Sequence, residues 1–391
     1  MSSNGAPWVI VAGGFHAFGG MDKANAALAE FLLDRGTAVH LVAHRGGVSP
    51  SLASRPGVTV HQVPLPAHSF LLGGPLLDRR GRAVARAVSA THPDARVVVN
   101  GGNCAWSDVN WVHSVHEAWP CVDDDAPTWF KVKNRVTKRL ARRQESRALH
   151  GARVVIANSE RTRRDLLERL GLPAHRVHTV YLGSDASVGP ASPEERKRAR
   201  QWLGVEPDRR LVAYVGTIGY DRNKGFDLLW SAWRRLHAQH GWGGAVDLVV
   251  AGTGGAERAW RAEIERAGLA DHVRLLGFTL HVRDVLAAAD LLVSPVRYEA
   301  YGLNVHEAIC RGIPAIVSAQ AGVAELFPTA LRHLLLRDPE DIAQLADRLL
   351  RWRANAERWN ERFAALGARL RSYRWQDMAR KMVETVEATA S

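Results

Sequence analysis

Short apolar runs alternate with stretches of helical periodicity along the first half of the chain. The apolar runs predict buried strands at residues 8–12, 39–42, 58–63, 97–100, 110–116, 154–158 and 177–181. Between them, apolar side chains three and four positions apart predict helices at 21–35, 76–90, 130–150 and 159–170. Strands that alternate with helices are typical of a parallel sheet covered by helices.

The same alternation resumes in the second half, after a small and polar segment at 183–192. Further strands are predicted at 211–215, 246–251, 273–276, 291–293 and 314–318, and helices from 226, at 339–353 and onward to the end. A chain of 391 residues exceeds the size that one hydrophobic core usually fills. We therefore expect two domains, residues 1–186 and 187–374.

One strand-to-helix loop in the second half combines a glycine turn with two glutamates, Glu299 and Glu307. The amides of Gly302, Leu303 and Asn304 open the predicted helix, and unpaired helix-start amides favour acceptor oxygens of phosphates or hydroxyls. A wholly helical span would separate the glutamates by about 12 Å along the axis. Paired glycosidase carboxylates lie roughly 5 to 9.5 Å apart. The pair therefore suits two contacts to one long ligand, unless it is simply a loop glutamate and a helix-surface glutamate.

Two other glycine-rich loops follow predicted strands. The loop with Gly19 and Gly20 matches neither the G-x-G-x-x-G fingerprint nor the P-loop, which disfavours a dinucleotide dehydrogenase and a P-loop NTPase. Its glycines cradle a phosphate or serve only the turn. The loop after strand 211–215 carries Arg222 and Lys224, placed like clamps for a diphosphate. The alternative for these two is ordinary exposed loop cations.

The predicted strand 110–116 ends in two histidines near several tryptophans. Carboxyl ends of strands line the ligand cleft in open α/β sheets, so His113 or His116 could bind a hydroxyl or transfer a proton there. The tryptophans that could stack on sugar rings are Trp106, Trp111 and Trp119. Buried histidines among core tryptophans are the alternative.

The composition indicates a globular chain, with 46% hydrophobic residues. No apolar run approaches the roughly 18 residues of a membrane span, and the N-terminus lacks a signal-peptide pattern, so we expect a cytoplasmic protein. The cysteines, Cys104, Cys121 and Cys310, show no metal-ligand spacing and imply no disulfide framework. The acidic run 123–125 has no completed ligand set around it, so we predict a solvated loop or helix cap and no metal site.

Positive charge is unevenly spread within a net charge of +12. Residues 1–186 hold 23 lysines and arginines against 15 acidic residues. A basic surface favours nucleic acid, an anionic membrane or an anionic substrate, and charge alone does not choose among them. The predicted helix 130–150 is strongly basic, with apolar positions at Val132, Val136, Leu140 and Leu149. It is either an ordinary solvated outer helix or a surface for an anionic membrane or acceptor.

Taken together, the motifs resemble glycosyltransferase family 4, the retaining group 1 sugar transferases of GT-B fold. The resemblance is densest at 215–325 and extends more thinly over nearly the whole chain. Its elements are Gly19-Gly20, His113, Asn158-Ser159-Glu160, Arg222-Asn-Lys-Gly225, Ala251-Gly-Thr-Gly254, Leu276-Gly-Phe278, Ala289-Asp290, the Glu299/Glu307 pair and Tyr373-Arg-Trp375. It implies an α/β fold of two Rossmann-like parallel-sheet domains facing across a cleft, with a helix at about 375–391 crossing back to the first.

The resemblance also implies roles for residues of the second domain. Glu307 would hold the ribose hydroxyls of a nucleotide, and Glu299 would lie by the donor sugar near its anomeric carbon. The amides of Gly302, Leu303 and Asn304 would bind sugar hydroxyls or phosphate.

Further implied roles concern the diphosphate, the base and the reaction centre. Arg222 and Lys224 would neutralise the diphosphate, with backbone amides brought to it by Gly19 and Gly20. His113 would stand over the reaction centre, and the backbone near Phe278 would meet the base. No metal or other cofactor is expected, because cations and helix termini supply the same electrostatics.

Two positions depart from the family pattern. Many members have an arginine where this chain has Thr217, so Arg222 is expected to replace that charge. The usual Asn-Gly pair of the linker region is Leu182-Gly183 here.

The resulting hypothesis is a retaining hexosyltransferase that uses a nucleoside diphosphate sugar. Its acceptor would be a glycan, a lipid-linked sugar or a small molecule held by the first domain, and its location cytoplasmic or peripheral at the inner membrane face. A nucleotide-sugar epimerase or another GT-B sugar enzyme is the alternative on the same fold. A non-enzymatic protein that binds nucleic acid or membrane would leave the two glutamates unexplained, so no nucleic-acid partner is expected.

Overall fold

A computed structural model describes residues 5–17, 19–120, 122, 125–239, 242–243 and 245–389. The chain divides into two compact units. The first unit contains Met1–Ala118, Val132–Gly183 and Arg374–Ser391, and the second contains Trp119–Lys131 and Ser184–Tyr373.

Strands and α-helices alternate through both units. The strands are β1 (Trp8–Val11), β2 (Val39–His44), β3 (Val58–Val63), β4 (Arg96–Asn100), β5 (Val109–Val112), β6 (Val154–Ala157), β7 (Val177–Thr179), β8 (Arg210–Val215), β9 (Val246–Ala251), β10 (Val273–Gly277), β11 (Leu291–Ser294) and β12 (Ala315–Val317). The helices are α1 (Gly20–Asp34), α2 (Pro50–Ala53), α3 (Phe70–Thr91), α4 (Thr128–Gly151), α5 (Glu160–Leu170), α6 (Pro193–Leu203), α7 (Phe226–His237), α8 (Glu257–Arg266), α9 (Val282–Ala288), α10 (Leu303–Cys310), α11 (Thr329–Arg332), α12 (Ile342–Ala354), α13 (Ala356–Ser372) and α14 (Trp375–Ala388).

The sheet of the first unit is parallel throughout its described strands, in the order β3-β2-β1-β4-β5-β6-β7. Every residue of β1, β5 and β6 is buried, because helices cover both faces of a parallel sheet. That burial explains the continuous apolar runs in the sequence. Strands β1, β4 and β5 are neighbours, so the glycine-rich loop after β1 and His113 after β5 emerge at one carboxyl edge.

The sheet of the second unit is also parallel, in the order β10-β9-β8-β11-β12. The strand order reverses between β8 and β11, and loops at such a reversal leave a crevice for ligands. The loop after β8 carries Arg222 and Lys224, and the loop after β11 carries Glu299. The topology therefore brings these two loops together.

The structure corrects several predicted element bounds. Helix α3 begins at Phe70 rather than at residue 76. Its Gly73 serves close packing, since a Cβ there would lie 2.5 Å from Leu65 Cδ1 and 2.9 Å from His44 Cε1. Strand β5 ends at Val112, and His116 begins a 3₁₀ turn instead of ending the strand. Helices α6, α8 and α9 lie where the sequence predicted no element.

The C-terminal helix α14 packs on α1 within the first unit. Lys23 Nζ lies 5.9 Å from the centre of the Trp375 ring, and Arg153 donates to the carbonyl of Thr389. The predicted return of the last helix to the first domain is confirmed. Among the described residues, no helix combines the length and the apolar character required to cross a bilayer.

The second unit also includes the segment Trp119–Lys131, which the sequence analysis placed in the first domain. Its aromatic rings contact Tyr220: the ring centroids of Phe130 and Trp129 lie 5.3 and 6.5 Å from that ring. Aromatic contacts of this kind favour association with the loop after β8. The domain boundaries expected from the sequence stay a prediction.

Gly183 is the last residue of the first unit before the chain enters the second, and it has no room for a side chain. A Cβ there would lie 2.4 Å from the carbonyl of Arg374 and from Trp375 N, which are backbone atoms that cannot rotate away. We predict that Gly183→Ala lowers the free energy of unfolding by about 1–3 kcal/mol through overpacking. Urea unfolding should show this loss but none for Gly189→Ala, whose Cβ would meet nothing within 4 Å. Equal stability of both variants would contradict the packing argument.

Candidate active site

Lys224 and Glu299 form an ion pair where the loops after β8 and β11 meet. The Lys224 ammonium donates to Glu299 Oε2, and both side chains are partly buried. The two residues are 75 positions apart in the chain. The structure therefore brings together two of the predicted catalytic residues.

Backbone constraints hold the Lys224 loop against the Glu299 loop. Gly225 has φ +73°, and a Cβ there would lie 2.0 Å from Pro295 O, so only glycine fits. The buried Asn223 donates from Nδ2 to Tyr298 O at 3.0 Å and accepts at its carbonyl from Arg297 N at 2.9 Å. These contacts fix the backbone on both sides of the ion pair.

Arg297 is a structural residue of the site that the sequence analysis did not identify. Its guanidinium is almost fully buried and donates to both carboxylate oxygens of Asp227, at 2.9 and 2.8 Å. It also donates to Glu340 at 2.5 and 3.1 Å and to Arg222 O at 2.5 Å. Burial works to lower the pKa of Arg297, but the hydrogen bonds to Asp227 and Glu340 raise it above its ordinary value. Its position three residues after the buried strand β11 was the available sequence signal.

Helix α10 begins directly after Gly302, beside the ion pair. Gly302 has φ +101°, and a Cβ there would lie 3.0 Å from Val323 Cγ1, so the turn requires glycine. The amides of Gly302, Leu303 and Asn304 lie at the helix start, where an α-helix has no acceptor of its own. Asn304 uses its side chain structurally, donating to Val215 O at 2.7 Å. The resulting positive helix end favours an anionic or hydroxyl-rich ligand.

The two glutamates have different supports. Glu299 lies in the loop, where its carbonyl accepts from Gly322 N at 3.0 Å. Glu307 is half-buried on α10, one turn beyond the helix start. Only the part from Leu303 onward is helical, so the fully helical spacing considered from the sequence does not apply.

Arg222 has a different partner from Lys224. Its Nη2 donates to Asp125 at 2.5 Å, and its backbone has φ +48°, a strained conformation for a residue with a side chain. Of the two residues predicted to bind a diphosphate, only Lys224 therefore pairs with Glu299. Of the predicted acidic run, Asp123 and Asp124 lie outside the described residues, as does Cys121. In the part of the chain that the structure describes, no three His, Cys, Asp or Glu side chains are grouped to hold a metal ion.

His113 lies immediately after β5 in the first unit. Its ring centroid is 4.5 Å from that of Trp111, and its Nε2 is enclosed without a hydrogen-bond partner among the described residues. Burial lowers the pKa of His113 to about 3. The imidazole is therefore neutral at physiological pH, so that it can accept or donate one hydrogen bond but carries no charge.

His116 and Trp111 are held by contacts within the first unit. The buried carboxylate of Glu145 accepts from His116 N at 2.8 Å and lies 3.0 Å from His116 Nδ1. Trp111 is fully buried, and Trp106 packs against the core. The predicted sugar stacking is therefore wrong for Trp111, because its ring is occupied by core packing.

The remaining predicted donor-binding residues lie at loop ends. Gly19 has φ +78° and immediately precedes α1, whose first residue is Gly20. Phe278 follows β10 and its side chain is 71% exposed, after a Gly277 with φ +71°.

Helix α4 presents apolar side chains to solvent. Trp129, Val132, Val136 and Leu140 are 62%, 55%, 49% and 37% exposed at helical spacing, whereas Leu149 is buried. Exposed cations accompany them on the same helix: Lys133, Arg135, Arg139 and Arg143. The helix is thus amphipathic, with an apolar stripe that the described residues leave uncovered.

Comparison with known proteins decides the family. Residues 18–188 match the model for Glycosyltransferase Family 4, and residues 209–355 match the model for Glycosyl transferases group 1. The chain is 31% identical over 352 residues to 2-deoxystreptamine N-acetyl-D-glucosaminyltransferase of Streptomyces fradiae, covering 82% of this chain and 80% of that protein. The chain belongs to the group 1 glycosyltransferases. The predicted family is confirmed.

Other similarities of this glycosyltransferase are more distant or partial. It is 30% identical over 240 residues to α-D-kanosaminyltransferase of Streptomyces kanamyceticus, a match that covers 60% of each chain. Sucrose-phosphate synthase of Thermosynechococcus elongatus superposes with a TM-score of 0.74 at 19% identity, covering 99% of this chain and 100% of that one. Anabaena HepE in complex with UDP-glucose gives 0.70 at 18% identity, covering 98% and 99%. These structures show the fold, so the predicted GT-B class is confirmed, whereas the roles of individual residues stay predictions.

The low pKa of His113 predicts a pH-dependent stability. In the unfolded chain the ring titrates near its ordinary value of about 6.5. Between pH 6.5 and about pH 3, His113 is protonated in the unfolded chain but not in the folded chain. The contribution of His113 to the free energy of unfolding is therefore present above pH 6.5 and is lost as the pH falls. We predict that the free energy of unfolding falls less between pH 7 and pH 5 in His113→Gln than in the wild type. Ser231→Ala, which changes no titratable group, serves as the control and should keep the wild-type slope. Equal slopes in all three proteins would contradict the burial of His113.

Proposed function

We propose that this glycosyltransferase transfers a hexose-like sugar, with retention of the anomeric configuration, from a nucleoside diphosphate sugar to an acceptor hydroxyl bound by the first unit. The observation that carries the proposal is the Lys224–Glu299 ion pair beside the start of α10. A cation, a carboxylate and free helix-start amides suit the three parts of such a donor: diphosphate, sugar and hydroxyl groups. The proposal requires no metal and no other cofactor.

Lys224 would stabilise the leaving diphosphate. Negative charge on the diphosphate grows as its bond to the sugar breaks, and a cation already in place lowers the energy of that state. The ion pair with Glu299 holds the ammonium at the loop, supported by Asn223 and Gly225 on either side. Arg222 would contribute a second charge by exchanging Asp125 for the diphosphate.

The glutamates would bind hydroxyl groups, because ionised carboxylates only accept hydrogen bonds. Glu307, on the rigid helix α10, would hold the ribose of the nucleotide. Glu299, in the loop, would lie by the donor sugar. The amides at Gly302, Leu303 and Asn304 would complete the site with donors directed at sugar hydroxyls or phosphate.

The proposed step breaks the bond between the anomeric carbon and the diphosphate oxygen, which leaves with the electron pair. An oxocarbenium-like state forms, the acceptor oxygen bonds to the same face, and its proton passes to the departing phosphate oxygen. His113, being neutral, would hydrogen-bond a hydroxyl near the reacting carbon. Gly19 and Gly20 would bring amides of the first unit to the diphosphate, and the backbone near Phe278 would meet the base.

The ion pair leads to a mutational prediction. We expect Lys224→Ala and Glu299→Gln each to lower transfer by about 10²–10³-fold, since each removes one electrostatic partner of the donor. The matched control is Lys197→Ala, an exposed lysine of α6, which should retain wild-type turnover. Circular dichroism should show intact folding in every variant. Near-normal turnover of either site variant would count against the proposal.

The donor should be identified before these kinetics, by thermal shift with UDP-, GDP-, ADP- and dTDP-sugars. UDP-glucose is the first candidate, because the structurally similar HepE is complexed with it. Cyclitols such as 2-deoxystreptamine are the first acceptors to test, since that compound appears in the name of the Streptomyces fradiae relative. An arm without acceptor separates transfer from epimerisation of the nucleotide sugar, which needs none.

We further propose that α4 contacts an anionic membrane. Its uncovered apolar stripe and adjacent cations match the two terms of interfacial binding, apolar insertion and attraction to anionic headgroups. A peripheral location at the inner membrane face would give access to lipid-linked acceptors.

This membrane contact predicts a loss of vesicle binding on polar substitution. The double variant Val132→Ser/Val136→Ser should bind phosphatidylglycerol vesicles about tenfold more weakly, because inserted apolar area is lost while every cation remains. Leu350→Ser changes an exposed leucine of α12 and should bind as the wild type does. Sedimentation with the vesicles measures both, and phosphatidylcholine vesicles test the role of charge. Unchanged binding of the double variant would contradict a role for the stripe.

A further inference from the structure

A chain of buried hydrogen bonds lies behind the loop that carries Glu299. Tyr301 Oη lies 2.7 Å from His306 Nδ1, and His306 Nε2 lies 2.6 Å from Ser184 Oγ. Ser184 in turn donates to Leu370 O at 2.8 Å. All three side chains of the chain are at least 96% buried.

The direction of these hydrogen bonds follows from their ends. A carbonyl can only accept, so the single hydroxyl hydrogen of Ser184 goes to Leu370 O. His306 must then donate from Nε2 to Ser184. A neutral ring with its hydrogen on Nε2 accepts at Nδ1, and that hydrogen comes from Tyr301. One tautomer of His306 therefore satisfies its contacts with both Tyr301 and Ser184, and Ser184 Oγ also lies 3.4 Å from Cys310 Sγ.

These hydrogen bonds connect the candidate active site with the residues at which the polypeptide enters and leaves the second unit. Tyr301 lies between Glu299 and Gly302, and its carbonyl accepts from Val323 N at 2.6 Å. Ser184 follows Gly183 and is the residue at which the polypeptide enters the second unit. Its amide donates at 2.9 Å to the carbonyl of Tyr373, the last residue before the polypeptide leaves that unit. His306 lies one turn along α10 from Gly302, whose carbonyl accepts its amide.

We propose that Tyr301, His306 and Ser184 are positioning residues that set the location of Glu299 and of the helix-start amides. The inference rests on the proposed function of that site. A buried polar group that loses its hydrogen-bond partner raises the free energy of the folded state. The three side chains therefore favour the single arrangement of the loop in which all of their hydrogen bonds are made. A phenylalanine and a leucine at positions 301 and 306 would fill similar space without specifying that arrangement.

The test compares a single variant of Tyr301 with a double variant of Tyr301 and His306. Tyr301→Phe leaves His306 Nδ1 buried without its donor, and kcat should fall about tenfold while the KM for acceptor stays unchanged. Tyr301→Phe/His306→Leu removes both partners of the hydrogen bond. Relative to Tyr301→Phe, its free energy of unfolding should therefore recover more of the loss than its kcat does. Ser231→Ala is the matched control, because Ser231 also donates to a backbone carbonyl, Asp227 O at 2.8 Å, and it should keep wild-type kcat.

Two readouts separate positioning from a merely structural role. Nitrogen chemical shifts of His306 should report the hydrogen on Nε2, and amide exchange at 299–303 should be faster in Tyr301→Phe than in Ser231→Ala. A Tyr301→Phe enzyme with lowered melting temperature but wild-type kcat and exchange would overturn the inference. A wild-type chain that transfers no sugar from any donor would instead overturn the proposed function, and this inference with it.

Discussion

The guanidinium of Arg297 joins segments that are far apart in the sequence, and the geometry of the candidate site depends on it. It contacts Asp227 at the start of α7, Glu340 before α12 and the carbonyl of Arg222 in the loop after β8. An arginine without these partners would be an uncompensated charge in a nearly dry position, and the carboxylates without it would repel each other. The shared cation thus keeps the two loops of the candidate site side by side.

On that support, the site balances its charges before any ligand binds. Lys224 is held by Glu299 and Arg222 by Asp125, so that each cation has a carboxylate partner. In the proposed function, the diphosphate of the donor would take both cations, and hydroxyl groups of the donor would take Glu299. Such an exchange would keep these groups paired and would limit the desolvation cost of binding the donor.

Much of the fold could be predicted because parallel strands covered on both faces are continuous apolar runs, and each predicted strand of both sheets exists. Helix α8 was not predicted from the sequence, because six of its ten residues are charged and Ile264 is its only buried residue. The histidines illustrate the same limit. His113 and His116 look alike in the sequence, but burial leaves the first neutral, whereas Glu145 holds the second in place.

The sequence by itself determined the alternation of strands and helices, the glycines that open loops and helices, and the residue types that resemble a sugar transferase. These are local properties, because periodicity, turn chemistry and motif spacing act over a few residues. Only the tertiary structure decided the partners: Lys224 with Glu299 at 75 positions, Arg222 with Asp125 at 97, and His306 with Ser184 at 122. Such pairs depend on which loops the strand order makes neighbours and on hydrogen-bond geometry at the ångström scale, and no local pattern in the chain encodes either.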